Sequence, residues 1–454
     1  MSAVSTRRRS KLGINGELRM KQHWLPFAGA GAAMLGAVLL MAQAPVGGPP
    51  GGGPPGGRGG GKGGGKGAPP AFQMVKGQPI DTREPEKKDD HPAFPGQTRV
   101  PYEPTTPPKV TLLTDKLNNP WSMAFLPDGK ILINEKPGNM RTFNPKDGSL
   151  SEPLMGVPKV YYQGQVGLLD LALDPQFASN RRIFFSYMEL MGDDDGIVLA
   201  TAKLAPDDAA ITGATVVFRA TAVNARMHGA NRGGRIAIGR DGNIFMTVGD
   251  GSGSPPWDMA QKLDNTIGKI VHVTPEGKPA PGNPFIGKAG AAPEIWSYGH
   301  RSEEGLTINP DTGALWETEH GPRGGDKLLQ PEAGKNYGWP VYVHGIDYPG
   351  AAIGAGITEA PGTEQPLYYW DPVIAPSGLA FYTGNQFPEW KNSIFVGALG
   401  GQMLDRLHLD GKKVIGEEPL LMDMRNRTRD VRMGPEGAVY ILTDANSLMK
   451  LTPK

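Results

Sequence analysis

Six times between residues 121 and 444 the chain repeats one local plan: a short apolar strand, a turn built on Pro, Asp or Gly, and a second apolar strand. The segments are WSMAFLPDGKILINE (121–135), LLDLALDPQFASNRRIFFSY (168–187) and GRIAIGRDGNIFMTVGD (234–250), then GLTINPDTGALWETEHG (305–321), GLAFYTGNQFPEWKNSIFVGAL (378–399) and VRMGPEGAVYILTD (431–444). With Ala124, Ala172, Ala237, Thr307, Ala380 and Arg432 taken as equivalent points, the gaps are 48, 65, 70, 73 and 52 residues. Each gap holds a four-stranded sheet and a variable loop, which is the period of propeller blades. Two-residue Asp-Gly turns between alternating strands are strong hairpin signals. A pair of β-sandwiches is the competing architecture, but sandwiches do not repeat one hairpin plan six times. The expectation is an all-β chain, a six-bladed β-propeller over residues 109–454, with its long loops gathered at one end of a central channel.

The residues before the repeats read differently. Basic stretches RRRSK (7–11) and RMK (19–21) precede an uncharged apolar run, LPFAGAGAAMLGAVLLMAQA (25–44), that ends in an Ala-x-Ala pattern. Residues 1–44 are therefore expected to be a signal peptide or a signal anchor. A run of about 20 apolar residues is also long enough to span a bilayer, and Pro45 disfavours cleavage directly after Ala44. The chain is expected in the periplasm or outside the cell, tethered to a membrane through residues 25–44 if they are retained. Residues 45–108 are rich in Gly and Pro, then in polar residues and Pro, and are expected to form a disordered linker. The 47 basic and 46 acidic residues leave a formal charge of +1, which gives no footprint for nucleic acid. The absence of cysteine excludes disulfides, thiolate metal sites and a cysteine nucleophile.

Polar residues cluster beside the repeated strands, in GQVGLLD (164–170), MHGANRGGR (227–235), WSYGHRSEEG (296–305), TEHGPRGGDKLLQPEAGKNYGWP (318–340) and RNRTRD (425–430). Such positions converge on one mouth of a propeller. Arg425, Arg427 and Arg429 alternate, so on an extended segment they point to one side. Guanidinium forks recognise carboxylates bidentately, so the pattern fits a polyacid ligand, although a solvated arginine ladder has the same spacing. The Gly321-Pro322 turn offers backbone carbonyls, the donor type that a hard cation such as Ca²⁺ takes.

Together these stretches resemble the soluble pyrroloquinoline quinone (PQQ)-dependent sugar dehydrogenases, a family that includes glucose/sorbosone and aldose sugar dehydrogenases. The resemblance covers about 115–454 and rests on GQVGLLD, EIWSYGHR, EHGPRGGDK, KNYGWP, GTEQP and RTRDVR. It implies a six-bladed propeller with PQQ over Ca²⁺ at the top of the channel, oxidising a sugar or related alcohol and passing electrons to an external acceptor. Gln165, Arg301, Tyr348, Arg427 and Arg429 match cofactor positions; Gly321, Pro322 and Tyr337 match calcium positions; Arg301 also matches a catalytic, charge-stabilising position.

Other positions depart from the family pattern. Its H-x-G-[GS]-R motif, which holds the catalytic base, reads Asn231-Arg232-Gly233-Gly234-Arg235 here, and an amide cannot take a proton from a hydroxyl. RNPQG reads Arg301-Ser302-Glu303-Glu304-Gly305, GALK ends in Gly400, and GGDE ends in Lys327. His228 is the candidate replacement base, and His320 a ligand contact. Two other functions remain open: a propeller that binds a ligand or carbohydrate without turnover, and a metal-dependent lactone hydrolase.

Overall fold

The computed structural model describes residues 72–224, 230–251 and 257–454. Six antiparallel sheets follow one another along the chain, each starting with an innermost strand of six residues. These strands are Pro120–Phe125, Leu168–Leu173, Gly233–Ile238, Glu303–Ile308, Pro376–Phe381 and Thr428–Met433, opening blades 1 to 6 in turn. The six points of equivalence chosen from the sequence each fall on the fifth residue of an innermost strand. The six-bladed propeller is as expected.

Two features shape the ring. Every innermost strand breaks register with its neighbour within its first four residues. Such an irregularity adds local twist, which suits strands crowded around a narrow channel. The last blade lacks a fourth strand of its own and takes Lys109–Thr114, which runs antiparallel to Ser447–Thr452 with Lys109 opposite Thr452. The start of the propeller thereby closes its end. Between blades the sheets pack face to face; Trp316, Leu328 and Tyr368 of blade 4 share a core with Leu379, Phe381 and Val396 of blade 5.

The channel is plugged by four charges from three blades. Arg235 donates to Asp430 at 2.8 Å, and Arg432 donates to Asp170 at 2.9 Å and to Asp430 at 3.1 Å. Two guanidiniums thus meet two carboxylates, and the plug is neutral.

The expected disordered linker does not extend to residue 108. Residues 72–108 are ordered along the edges of blades 4 and 5. Asp371 accepts from the Glu86 and Lys87 amides, Asp90 pairs with His344 and accepts from the Tyr369 hydroxyl, and Tyr102 forms a parallel bridge with Glu417. Its own low apolar content misleads, because the order comes from polar partners more than 250 residues away. Replacing Asp90 with alanine would leave Nδ1 of the buried His344 and the Tyr369 hydroxyl without their partner and is expected to cost about 1–3 kcal/mol, measurable as a lower unfolding midpoint; no shift would show that the strap contributes nothing. The 1–44 segment and the linker as far as residue 71 lie outside the described residues. Among the described residues no helix is long and apolar enough to cross a membrane.

Candidate active site

In each blade the innermost strand begins, and the second strand ends, at the same end of the channel, because the two are antiparallel. Residues just outside those strand ends must therefore line one mouth. They include Gln165, Asn231, Arg301 and Arg427 before innermost strands, and Lys136, Asp250, His320 and Asp444 after second strands.

The Gly321-Pro322 turn is braced on both sides. Asp326 accepts from the Gly321 amide at 2.8 Å and from the Ile374 and Ala375 amides at 2.8 and 2.6 Å. Burial pushes its carboxyl up to about 7 against these three donors. His320 holds the turn from the other side, with its Nε2 2.7 Å from the Pro376 carbonyl. Gly321 cannot be larger: a Cβ there would meet the Gly324 carbonyl oxygen at 2.2 Å. The carbonyls of His320 and Gly321 both accept from Nη1 of Arg301, at 3.1 and 2.9 Å. The Pro322 carbonyl accepts no hydrogen bond from the described residues.

Arg301, Arg427 and Arg429 come together at the mouth; Arg425, expected on an extended segment with the last two, instead ends a short 3-10 helix with φ of 50°. Burial, and then the charges of Arg301, Arg429 and Arg427, hold the His320 imidazole down to about 3. His320 is thus neutral and a poor proton acceptor. Arg429 is forked onto Asp444 at 3.0 and 3.2 Å and faces Glu304 at 3.9 Å, while Arg427 reaches Asp444 at 2.8 Å and the Leu399 carbonyl at 3.1 Å. Asp444 is held down to about 2 against the cost of burial, chiefly by Arg429. Arg301 lies over the Trp339 ring at 5.2 Å, and its buried Nε has no partner among the described residues. Gln165 accepts from the Asn231 amide at 3.4 Å, linking blades 2 and 3. Tyr348 is exposed, two residues beyond Ile346, which pairs with Arg323 next to Pro322.

Two expectations need separate treatment. The Tyr337 hydroxyl donates to the Gln330 carbonyl and accepts from the Glu332 amide, both at 2.8 Å, and the ring stacks on His300. That hydroxyl is committed to its own loop. His228 lies outside the described residues. Asn231 stands at the mouth with φ of 51°, and its amide donates to Asp250 at 3.3 Å.

Below the mouth lies a buried layer, two of whose residues, Glu303 and Lys327, the family pattern would place at the site. His300, Glu317 and Glu319 place ligand atoms within 4.8 Å of one another. Lys327 meets Glu319 at 2.8 Å and, against burial, holds its carboxyl down to about 2. Burial pushes Glu303 and Glu317 well up, so both favour the neutral form. Glu303 and Lys327, two of the departures from the family pattern, belong to this layer and not to the ligand face. A cavity of about 1220 Å³ opens at the opposite end, among the turns at Gly239, Asn309 and Tyr382, far from these arginines.

Guanidiniums and braced carbonyls gathered at one mouth of a six-bladed propeller have the chemistry to hold a polyanionic ligand there. The glucose/sorbosone dehydrogenase family model matches residues 117–450, and the chain belongs to that family. It is 43% identical over 351 residues to the aldose sugar dehydrogenase YliI of Escherichia coli, covering 76% of this chain and 93% of that one. A crystal structure of a glucose dehydrogenase aligns with a TM-score of 0.72 at 44% identity, over 76% of this chain and 99% of that one. The PQQ-bound form of an aldose sugar dehydrogenase from Streptomyces coelicolor aligns with a TM-score of 0.63 at 26% identity, over 77% and 99%.

Proposed function

We propose that the protein is an exported, PQQ- and Ca²⁺-dependent dehydrogenase that oxidises a hydroxyl of an aldose or related alcohol, slowly, for want of a base at residue 231. The observation that supports this most is the convergence of Arg301, Arg427 and Arg429 on His320, beside the braced Gly321-Pro322 turn. A planar tricarboxylate suits three guanidiniums, two of which share a single carboxylate. The unpartnered Nε of Arg301 is one donor left for it. The Gly321 and Pro322 carbonyls suit a hard cation. Tyr348 offers an exposed ring for a flat ligand to lie against.

Bound PQQ supplies the acceptor for the hydride, with Ca²⁺ polarising it. Arg301 fixes the ligand and offsets negative charge that develops there. Asn231 and Gln165 can orient a sugar hydroxyl by hydrogen bonds but cannot take its proton. Export rests on the apolar run at 25–44.

The second reading is a binding propeller without turnover, and it is favoured by the amide at residue 231. One experiment separates the two. PQQ and Ca²⁺ are added to the purified protein, and the quinone absorbance is followed as sugars are supplied. Retention of PQQ and its slow reduction by sugar are expected. Retention without reduction by any sugar or alcohol would leave the binding propeller, and no retention would end the PQQ reading.

A further inference from the structure

We propose that Lys136 is an anion-binding residue of the mouth, supplying from blade 1 an ammonium that pairs with a carboxylate of the bound PQQ. The inference rests on the reading of the mouth as a PQQ site.

The backbone of Lys136 is fixed at the seam between blades 1 and 2. It directly follows the strand Ile131–Glu135, its amide donates to the Asn119 carbonyl at 3.0 Å, and its carbonyl accepts from Leu168 at 2.9 Å. A Cβ on Gly167 would meet that carbonyl oxygen at 2.0 Å, so glycine there lets the two blades close around Lys136. The side chain therefore starts from a rigid point on the rim.

Its surroundings are those of a cation waiting for a partner. Burial, then Arg429, lowers the Lys136 ammonium from its usual value, with Arg427 adding to the effect and Asp444 and Glu304 opposing it. The side chain is half-buried, and among the described residues its ammonium makes no hydrogen bond and no ion pair. Of the two nearby carboxylates, Asp444 already serves both Arg427 and Arg429, and Glu304 faces Arg429 at 3.9 Å. An ammonium held beside two guanidiniums gains most from an incoming anion. Across the rim, the corresponding second strand of blade 5, Ser393–Ala398, is followed by Leu399 and by Gly400, which has no side chain to offer. Blade 1 supplies the cation that blade 5 lacks.

The test is a PQQ titration with Ca²⁺ present, read by quenching of intrinsic tryptophan fluorescence in the wild type, Lys136→Met and Lys136→Arg. Loss of a charge-assisted hydrogen bond should weaken PQQ binding about 10- to 100-fold in Lys136→Met. Lys136→Arg should recover much of the affinity, and the salt dependence of binding should be shallower in Lys136→Met. Unfolding midpoints should be alike in all three, since the truncated group has no hydrogen-bond or ion-pair partner among the described residues. Equal affinity in Lys136→Met and wild type overturns the inference while leaving the PQQ site intact, as does a loss that Lys136→Arg does not recover. A wild type that binds no PQQ overturns the reading beneath it.

Discussion

Replacing Asn231 with histidine is expected to raise kcat for aldose oxidation by about 10²–10⁴-fold, the usual worth of a positioned general base. The geometry is ready for the change. Residue 231 sits in the left-handed region, with φ of 51°, a conformation that histidine, like asparagine, enters more readily than most residues. Asp250 lies 3.3 Å from the Asn231 amide and 3.0 Å from the Trp339 indole nitrogen, so its carboxylate is fixed in place. An imidazole at 231 could give its Nδ1 proton to that carboxylate and keep Nε2 free for a hydroxyl, as an oriented base requires. The assay is steady-state oxidation with PQQ and Ca²⁺ in Asn231→His and wild type, with PQQ affinity measured beside it. Unchanged kcat at unchanged affinity would show that the mouth does not present substrate to residue 231, and the dehydrogenase reading would lose to the binding propeller. The parallel variant His228→Ala separates a replaced base from a lost one: a fall in kcat marks His228 as the base, and no change means that none was recruited.

What the sequence disclosed and what it hid divide along physical lines. Blade number and register were legible because each innermost strand repeats the same alternation beside the same turn chemistry, so Ala124 through Arg432 mark one structural position. The arginines of the mouth were legible because strand ends dictate where Arg301 and Arg427 must point. The strap at 72–108 was not, since a run such as REPEKKDDHP shows no periodicity and its order depends on Tyr369, Asp371 and Glu417, far along the chain. The direction of the Tyr337 hydroxyl was not legible, because a motif fixes a residue's place but not where its side chain points; packing on His300 decided that. Lys136 escaped notice as one lysine at a strand end, and only the ring closure brings it to Arg429. The charge changes at Glu303 and Lys327 looked like damage to the site, whereas Lys327 neutralises Glu319 in the layer beneath. Asn231 and Gly400 remain as the departures that lie at the mouth.

Arg235→Met is expected to cost about 3–5 kcal/mol of stability, because it breaks a buried charge network from one side. Arg235 is 1% exposed, and its guanidinium is surrounded by partners from the whole ring. Nε donates to the Glu304 carbonyl at 2.7 Å, Nη1 to Asp430 at 2.8 Å and Nη2 to the Arg429 carbonyl at 3.0 Å, while the Trp121 ring lies 3.9 Å away. With Ser377 of blade 5 at 3.5 Å from Nη2 and Asp170 of blade 2 at 3.6 Å from Nη1, all six blades meet on one side chain. Methionine fills much of the volume and packs against Trp121, so the loss isolates charge and hydrogen bonding from cavity formation. What remains in the channel is Asp170 and Asp430 facing Arg432 alone, one negative charge in excess where water is scarce. Urea unfolding measures the effect, provided the slope with denaturant is unchanged. The same reasoning fixes the sign of the coupling. Asp430→Leu combined with Arg235→Met removes one charge of each sign and restores neutrality, so the double variant should be more stable than the two single losses added together. A single-variant loss under about 1 kcal/mol, or strict additivity of the pair, would mean that the four charges do not act as one plug, and that blade packing alone holds the ring closed.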